Sequence, residues 1–244
     1  MFDAFHFPET VLIVAPNTVA MLKILIADAE LELIPGDMLD DYSIKLHAKK
    51  RKKPPQRIIL DSNYMHSAID KHYPGESNRR GRPDIVYHLL AVAMESILNK
   101  QGGLRVWIHT RTNSIIEVFP NTRLPKSFNR FIGLFEDLFE KGEIRYEEQP
   151  LLRIHQGDVK KLMELAGAEN MKILSPKGKM TTVSTLVDPG HNEASFIIGG
   201  FSEGDFTSDV YGLAESFSIY KEELTIWSVA MEIIAQYERA FGIV

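Results

Sequence analysis

The chain has 244 residues, 44% of them hydrophobic and 25% charged, which suits one large domain or two small ones and excludes wholesale disorder. Its net charge of −5 excludes a protein that coats nucleic acid indiscriminately, although local clusters of basic residues can still serve a specific RNA contact. There is no cysteine, hence no disulfide staple or thiolate chemistry, and no apolar run reaches the ~18 residues of a membrane span.

Absent cysteines fit a reducing, cytoplasmic setting. The apolar run at 10–15 is short, and the preceding residues lack the basic charge of a signal peptide. Residues 1–19 are an N-terminal extension in which 11–14 is either a short strand or part of the extension. Residues 20–244 read as a single domain.

Residues 23–27 read as a buried strand, and 29–34 as a short helix ended by Pro35-Gly36. Residues 36–55 read as a mobile basic loop, whose charge run at 49–53 is either solvated surface or an RNA contact. An apolar strand at 57–60 runs into Asp61 and Ser62. Either residue makes a helix N-cap, or lines a site at the strand's carboxyl end.

The next stretch organises the chain. Arg79, Arg80 and Arg82 put three guanidinium groups within four residues, ahead of Pro83 and Asp84. Proline has no N–H to lose in a first helical turn, so Pro83 starts a helix. Arg82 is pushed out of the helical region and projects from its end, while the helix dipole favours Asp84 in the first turn. Ile85, Val86, Leu89, Leu90, Val92, Ala93, Ile97 and Leu98 bury the helix. A cation and an anion at its exposed start can hold an anionic substrate.

Strands at 104–108 and 115–119 follow, turning at Thr112-Asn113. Ser127 then caps a helix whose apolar positions include Phe131, Leu134, Phe135, Leu138 and Phe139. Arg123, Lys126 and Arg130 cluster at its start. Further on come strands at 151–154, 171–174 and 196–198, a helix at 158–166, an extended stretch at 210–219 and a final helix at 222–241. That last helix is apolar on two faces, so it is either deeply buried or shared with a partner subunit. The alternation predicts an α/β fold with a mainly parallel sheet and flanking helices.

Gly199, Gly200 and Gly204 make a glycine-rich turn after a strand. Asp205-Phe206 stands where a phosphate loop needs Lys-Ser/Thr, so the turn suits a cationic cofactor better than a phosphate. The eight histidines form no metal-ligand spacing, and no nucleophile elbow is present.

The blocks Leu60-Asp61-Ser62-Asn63-Tyr64, Arg80-Gly81-Arg82-Pro83-Asp84-Ile85, Thr122-Arg123-Leu124-Pro125 with Asn129-Arg130-Phe131, and Ile197-Ile198-Gly199-Gly200-Phe201 occur in this order. With them, residues 21–244 resemble the Nep1/Emg1 family, the ribosome-biogenesis branch of the SPOUT methyltransferases, and its archaeal members most. The resemblance implies a SPOUT-like homodimer whose C-terminal part forms a trefoil knot, an exception to the rule against knots. It implies S-adenosyl-L-methionine as cofactor, small-subunit ribosomal RNA as partner, and methylation of N1 of a pseudouridine. A non-catalytic RNA-binding ribosome-assembly factor is the alternative. Neither reading needs a membrane or a metal.

By the same resemblance, Leu174, Gly199, Gly200, Gly204, Ile219 and Leu224 contact the cofactor, mostly through backbone groups. Arg82, Arg123, Lys126 and Arg130 match RNA-contacting positions, within basic segments near 45–57, 79–84 and 123–130. Lys126 replaces a frequent arginine, keeping the charge but losing the bidentate fork. Asp84 orients the base and can take its proton, and Arg82 holds a phosphate or ring oxygen. Phe128, Phe131 and Tyr64 are candidates for base stacking, though aromatic residues at such spacing are more often core.

Overall fold

Met21–Ala29 (β1) runs through the middle of an eight-stranded sheet in a computed structural model that describes residues 20–120 and 122–243. The other strands are Leu104–Thr110 (β2), Ser114–Val118 (β3), Glu143–Tyr146 (β4), Gln149–Gln156 (β5), Met171–Met180 (β6), Glu193–Gly199 (β7) and Glu215–Ser218 (β8). Their order is β4-β5-β3-β2-β1-β7-β6-β8. β1 pairs in parallel with β2 and β7, and β6 with β7 and β8. The β2–β3, β3–β5 and β4–β5 ladders are antiparallel, so the five strands β2, β1, β7, β6 and β8 form the parallel part of a mainly parallel sheet.

Alternation along β1 divides the core. Leu22, Ile24 and Ile26 face one side and Leu25 and Ala27 the other, as a period of two requires. The first face is covered by Pro83–Ala93, Phe128–Lys141 and Ile226–Ala240, and the second by Val159–Ala166. In chain order the helices are Tyr42–Arg51 (α1), Ser62–His72 (α2), Pro83–Ala93 (α3), Ile97–Lys100 (α4), Phe128–Lys141 (α5), Val159–Ala166 (α6), Val183–Leu186 (α7) and Ile226–Ala240 (α8). A third cluster, with Met38, Ile44, Ile58, Met65 and Ile69, joins α1 and α2 beside the sheet.

Several expectations need correction. Residues 29–34 are extended, not helical: Glu30 N–H donates to the Gly200 carbonyl and Ile34 N–H to that of Ile58. Residues 57–60 share only an isolated bridge, Leu33 with Ile59, and lie outside the sheet. The expected loop at 36–55 contains α1, capped by Asp41, which accepts from Ser43 N–H at 2.9 Å. That helix hides from a hydrophobic pattern because only Ile44 and Ala48 are buried. α3 ends at Ala93; Ile97 and Leu98 belong to α4, whose Ser96 cap interrupts the run. Within 210–219 only β8 is a strand, and α8 begins at Ile226 rather than 222. The reading of 11–14 lies outside the described residues.

Other local signals hold. Pro83 opens α3, Asp61 caps α2 by accepting from Asn63 N–H at 2.9 Å, and Asn113 adopts a φ of +58° at the β2–β3 turn.

β8 has two neighbours drawn from one strand. Phe217 pairs with Leu174 and again with Lys179, so β6 bends around β8 between those residues. Gly178 lies at the crossing, where a Cβ would come within 2.4 Å of the Phe217 backbone nitrogen. No larger residue fits there without moving a strand.

Candidate functional site: a glycine-floored cleft and an arginine–aspartate pair

The three arginines of the organising stretch have different fates. Arg80 is 8% exposed and binds the Glu32 carboxylate bidentately, at 2.6 and 3.0 Å, with its guanidinium 3.6 Å from the centre of the Tyr73 ring. Arg79 donates to Glu30 at 2.8 Å and to the Asp205 carbonyl at 2.7 Å, and lies over the Phe201 ring. Burial lifts the Glu30 pKa above its ordinary 4.5, although the Arg79 hydrogen bond opposes it. These two arginines therefore fasten the chain internally. Of the basic segment 79–84, only Arg82 is not held by a carboxylate of another segment.

Arg82 turns back on the first turn of α3. Its Nε and Nη2 donate to the two Asp84 oxygens at 2.8 and 2.7 Å. The Asp84 hydrogen bond raises the Arg82 pKa, so the guanidinium is charged at any physiological pH. Behind the pair stands Asp61, 6% exposed. Burial pushes its pKa above the ordinary 3.8 against the Asn63 hydrogen bonds, and the neighbouring Asp84 charge adds to that. The site thus sets a fixed cation beside one half-buried and one buried carboxylate.

The cleft lies at the bend of β6 and the carboxyl ends of β7 and β8, where open α/β sheets bind ligands. Leu174, Ser175 and Lys177 form one wall, Gly199 with Phe201 to Phe206 the floor, and Phe217 to Tyr220 with Glu222 to Leu224, Ile226 and Val229 the other wall. Of the residues assigned to the cofactor, Leu174, Gly199, Gly204, Ile219 and Leu224 line it. Gly200 does not. A Cβ there would fall 2.6 Å from Ala29 Cα, and its N–H donates to the Ala27 carbonyl at 2.8 Å. Its glycine is required by packing against β1.

Sequence reasoning missed the polar side of the cleft. Asp205 binds Lys177 at 2.7 Å and accepts from the Tyr211 hydroxyl at 2.7 Å; that hydroxyl also meets Ser175 Oγ at 2.8 Å. Asp28, at the end of β1 with φ +53°, accepts from the Thr207 and Ser208 N–H groups at 2.7 and 2.9 Å. Burial opposes the Asp28 charge, but hydrogen bonds from His109, Ser208 and Thr207 outweigh it and hold the pKa far below 3.8. An aspartate at a strand end is a weak signal, because nothing nearby in sequence names its partners.

Arg123, Lys126 and Arg130 are exposed and form no ion pair among the described residues. α5 begins at Phe128 after Ser127, and the Lys126 carbonyl accepts from the Tyr87 hydroxyl of α3 at 2.5 Å. Tyr87 lies one turn beyond Asp84, so this contact brings the start of α5 towards the Arg82–Asp84 pair. On the same helix His88 packs against Trp227, with ring centres 5.0 Å apart, next to the cleft residue Ile226.

The basic segment at 45–57 is only partly free. Arg51 and Lys53 bind Glu136 at 2.8 and 2.7 Å, Arg57 binds Glu140, and Lys45 binds Asp40. Lys49, Lys50 and Lys52 remain exposed.

Known proteins share this fold. A family model described as EMG1/NEP1 methyltransferase matches residues 24–238. The ribosomal RNA small subunit methyltransferase Nep1 of Thermoplasma volcanium is 53% identical, over 91% of this chain and 100% of its own length. The protein of that name from Thermoplasma acidophilum is 50% identical over the same shares. Among solved structures, Archaeoglobus fulgidus Nep1 bound to S-adenosylhomocysteine superposes with a TM-score of 0.79 at 29% identity, covering 91% of this chain and 98% of that one. With a cleft at the carboxyl ends of the parallel strands β7 and β8 and the Arg82–Asp84 pair at the head of α3, this chain belongs to the EMG1/NEP1 methyltransferase family.

Proposed function

We infer that this protein transfers a methyl group from S-adenosyl-L-methionine to small-subunit ribosomal RNA, at N1 of a pseudouridine. The observation carrying this is a backbone bridge. Glu30 N–H donates to the Gly200 carbonyl beneath the cleft loop, and the Glu30 carbonyl accepts from Arg82 N–H. One residue thereby ties the cleft loop to the arginine–aspartate pair, and family relatives are named as ribosomal RNA methyltransferases.

The cleft suits the cofactor. Gly199 and Gly204 allow close backbone approach, and Gly204 adopts φ +84°. The one lysine of the lining, Lys177, is paired to Asp205, whereas Glu203, Glu222 and Glu223 make the rim acidic. A cationic sulfonium is favoured there over a phosphate. Leu174, Gly199, Gly204, Ile219 and Leu224 would hold it, and when bound it supplies an electrophilic methyl group.

The remaining work falls to the RNA-facing residues. A uracil-type ring nitrogen is a poor nucleophile while protonated, because its lone pair is delocalised. As the proton leaves, charge spreads to the ring carbonyl oxygens, where the Arg82 guanidinium stabilises it. Asp84 Oδ1 and Oδ2 orient that guanidinium and can receive the proton, with Asp61 behind as a carboxylate of raised proton affinity. Arg123, Lys126 and Arg130 hold phosphates.

Two further features belong to this reading. The pairing of Phe217 with both limbs of β6 supports the knotted path expected from the resemblance. A shallow apolar groove between α3 and α8, lined by Ala91, Val92, Ile97 and Met231, supports a homodimer; Ile97 is 45% and Met231 52% exposed. No helix among the described residues is long and apolar enough to cross a membrane. A cytoplasmic setting follows from the substrate and the absent cysteines.

Calorimetry with S-adenosylmethionine, followed by mass analysis of a pseudouridine-containing RNA loop, tests the proposal. A gain of one methyl group on N1 is expected. Cofactor and RNA binding without transfer would instead favour a non-catalytic assembly factor. Sedimentation at micromolar concentration tests the dimer.

A further inference from the structure

The three aromatic residues that the sequence offers for base stacking are separated by the structure. Phe131 is fully buried, and Phe128 packs against Tyr87 and Phe131. Tyr64 is 61% exposed, in the first turn of α2. Its ring meets the His47 imidazole of α1, with centres 5.1 Å apart and planes tilted by 39°.

A single exposed aromatic residue is ordinary. The surroundings of this one are not. Asp61 caps α2, and the next residue, Ser62, donates its N–H to the Gly81 carbonyl at 2.8 Å, so the start of α2 lies against the run that carries Arg82 and Asp84. Tyr64 N–H also donates to the Asp61 carbonyl at 3.0 Å, so the first turn of α2 carries the aromatic pair and touches the arginine run at once. Burial, and then the nearby Arg51 charge, push the His47 pKa below its ordinary 6.5, so the imidazole is neutral at pH 7 and presents an uncharged ring. Beyond it on α1, Arg51 is held by Glu136, whereas Lys50 is exposed and forms no ion pair among the described residues.

This line of groups matches what an extruded nucleotide needs. A target base must leave its stack to reach a methyl donor, and its neighbour then loses a stacking partner. Aromatic side chains replace that contact for any base, while lysines track the phosphates. We propose that the Tyr64–His47 pair is a stacking platform for the unpaired base next to the target nucleotide, with Lys50 on the adjoining phosphate. The proposal rests on the ribosomal RNA methyltransferase reading and adds the element that receives the neighbouring base.

Stacking and charge differ in their salt dependence, which makes the test specific. Fluorescence anisotropy with a pseudouridine-containing small-subunit RNA loop is run on the full chain across a salt series. Tyr64→Ala is expected to weaken binding about tenfold at every salt concentration, with the slope of log affinity against log salt unchanged. Tyr64→Phe restores the affinity, and His47→Leu, which keeps bulk but not an aromatic face, weakens it in the same salt-independent way. Lys50→Ala lowers the slope by about one phosphate contact. A 2-aminopurine placed beside the pseudouridine is quenched by the parent chain and not by Tyr64→Ala. Thermal unfolding of each variant checks the fold. If Tyr64→Ala and His47→Leu bind at parental affinity while Arg82→Ala is weakened, the platform is wrong and the methyltransferase reading survives. If the parent chain binds no RNA, both fall.

Discussion

The Glu30 carboxylate and the Arg79 guanidinium meet at 2.8 Å, and the same guanidinium reaches the Asp205 carbonyl at 2.7 Å. Glu30 is 1% exposed, so the pair is a buried clamp rather than a surface ion pair. One end of it holds the strand exit that supports Arg82, and the other holds the floor of the cleft. Arg111 also binds Glu30, at 3.0 Å, so losing Arg79 does not leave the carboxylate alone.

Arg79→Lys should therefore fold but loosen the 203–205 segment, since a lysine cannot serve Glu30 and the Asp205 carbonyl with one rigid fork. Cofactor affinity is expected to fall about tenfold, near the value of one charged hydrogen bond. Calorimetry with S-adenosylhomocysteine checks this, and unchanged affinity would remove the clamp from the cofactor site.

Arg130→Ala removes an exposed cation at the start of α5. RNA affinity should drop with a salt slope reduced by about one contact, while cofactor affinity stays the same. Arg82→Ala should also weaken RNA binding but abolish turnover as well, because Asp84 loses both hydrogen bonds that orient it. Collapse of cofactor affinity in either variant would contradict this division of labour.

Asp84→Asn keeps the size of the side chain and removes its charge. Turnover under single-turnover conditions is expected to fall by about 100-fold, within the range for a lost acid–base group, while RNA affinity changes far less. Equal losses in both would make Asp84 a binding residue only.

The Asp28 hydrogen bonds predict a pH dependence with a definite sign. Its folded pKa lies below 3.8, the ordinary value, so the charged form is favoured by folding. That stability is present above about pH 4 and is lost as pH falls towards the folded pKa. Thermal unfolding between pH 6 and pH 3 should show a smaller acid loss for Asp28→Asn than for the parent chain. The variant should also be less stable at pH 6.

Glu136 is 2% exposed and binds Arg51, Lys53 and the Ile59 N–H. Glu136→Ala leaves an N–H and two half-buried cations without their acceptor, and should cost about 3 kcal/mol in denaturant unfolding. A loss below about 0.5 kcal/mol, the range of an ordinary surface change, would mean that α1 is held by the Met38–Ile44–Met65 cluster alone.

Elements whose signals lie within a few residues were legible in advance. Pro83 opens α3, Asp61 caps α2, and the β2–β3 turn falls at Asn113, because capping and turn geometry involve neighbours along the chain. The blocks around Arg82, Arg123 and Gly199 likewise pointed to the family. The stretch 29–34 was misread because its carboxylates look like an exposed helix face, whereas Glu30 and Glu32 are buried against arginines almost fifty residues away. Arg79 and Arg80 were misread for the same reason. Gly200 was assigned to the cofactor from its place in a glycine turn, and the close packing of the Ala29 backbone against it had no signal nearby in sequence.

Residue order by itself thus determined where α2, α3 and α5 begin, that β1 and β7 are buried, and the kind of chemistry that an arginine–proline–aspartate run and a glycine turn can support. Only the tertiary structure decided which charges remain free: Arg79 and Arg80 neutralised by Glu30 and Glu32, Arg51 and Lys53 by Glu136, but Lys50, Arg123, Lys126 and Arg130 left to solvent. The physical reason is range. Backbone preference is set by adjacent residues, whereas a charge's role depends on the nearest opposite charge in space, and the folded chain alone chooses that neighbour.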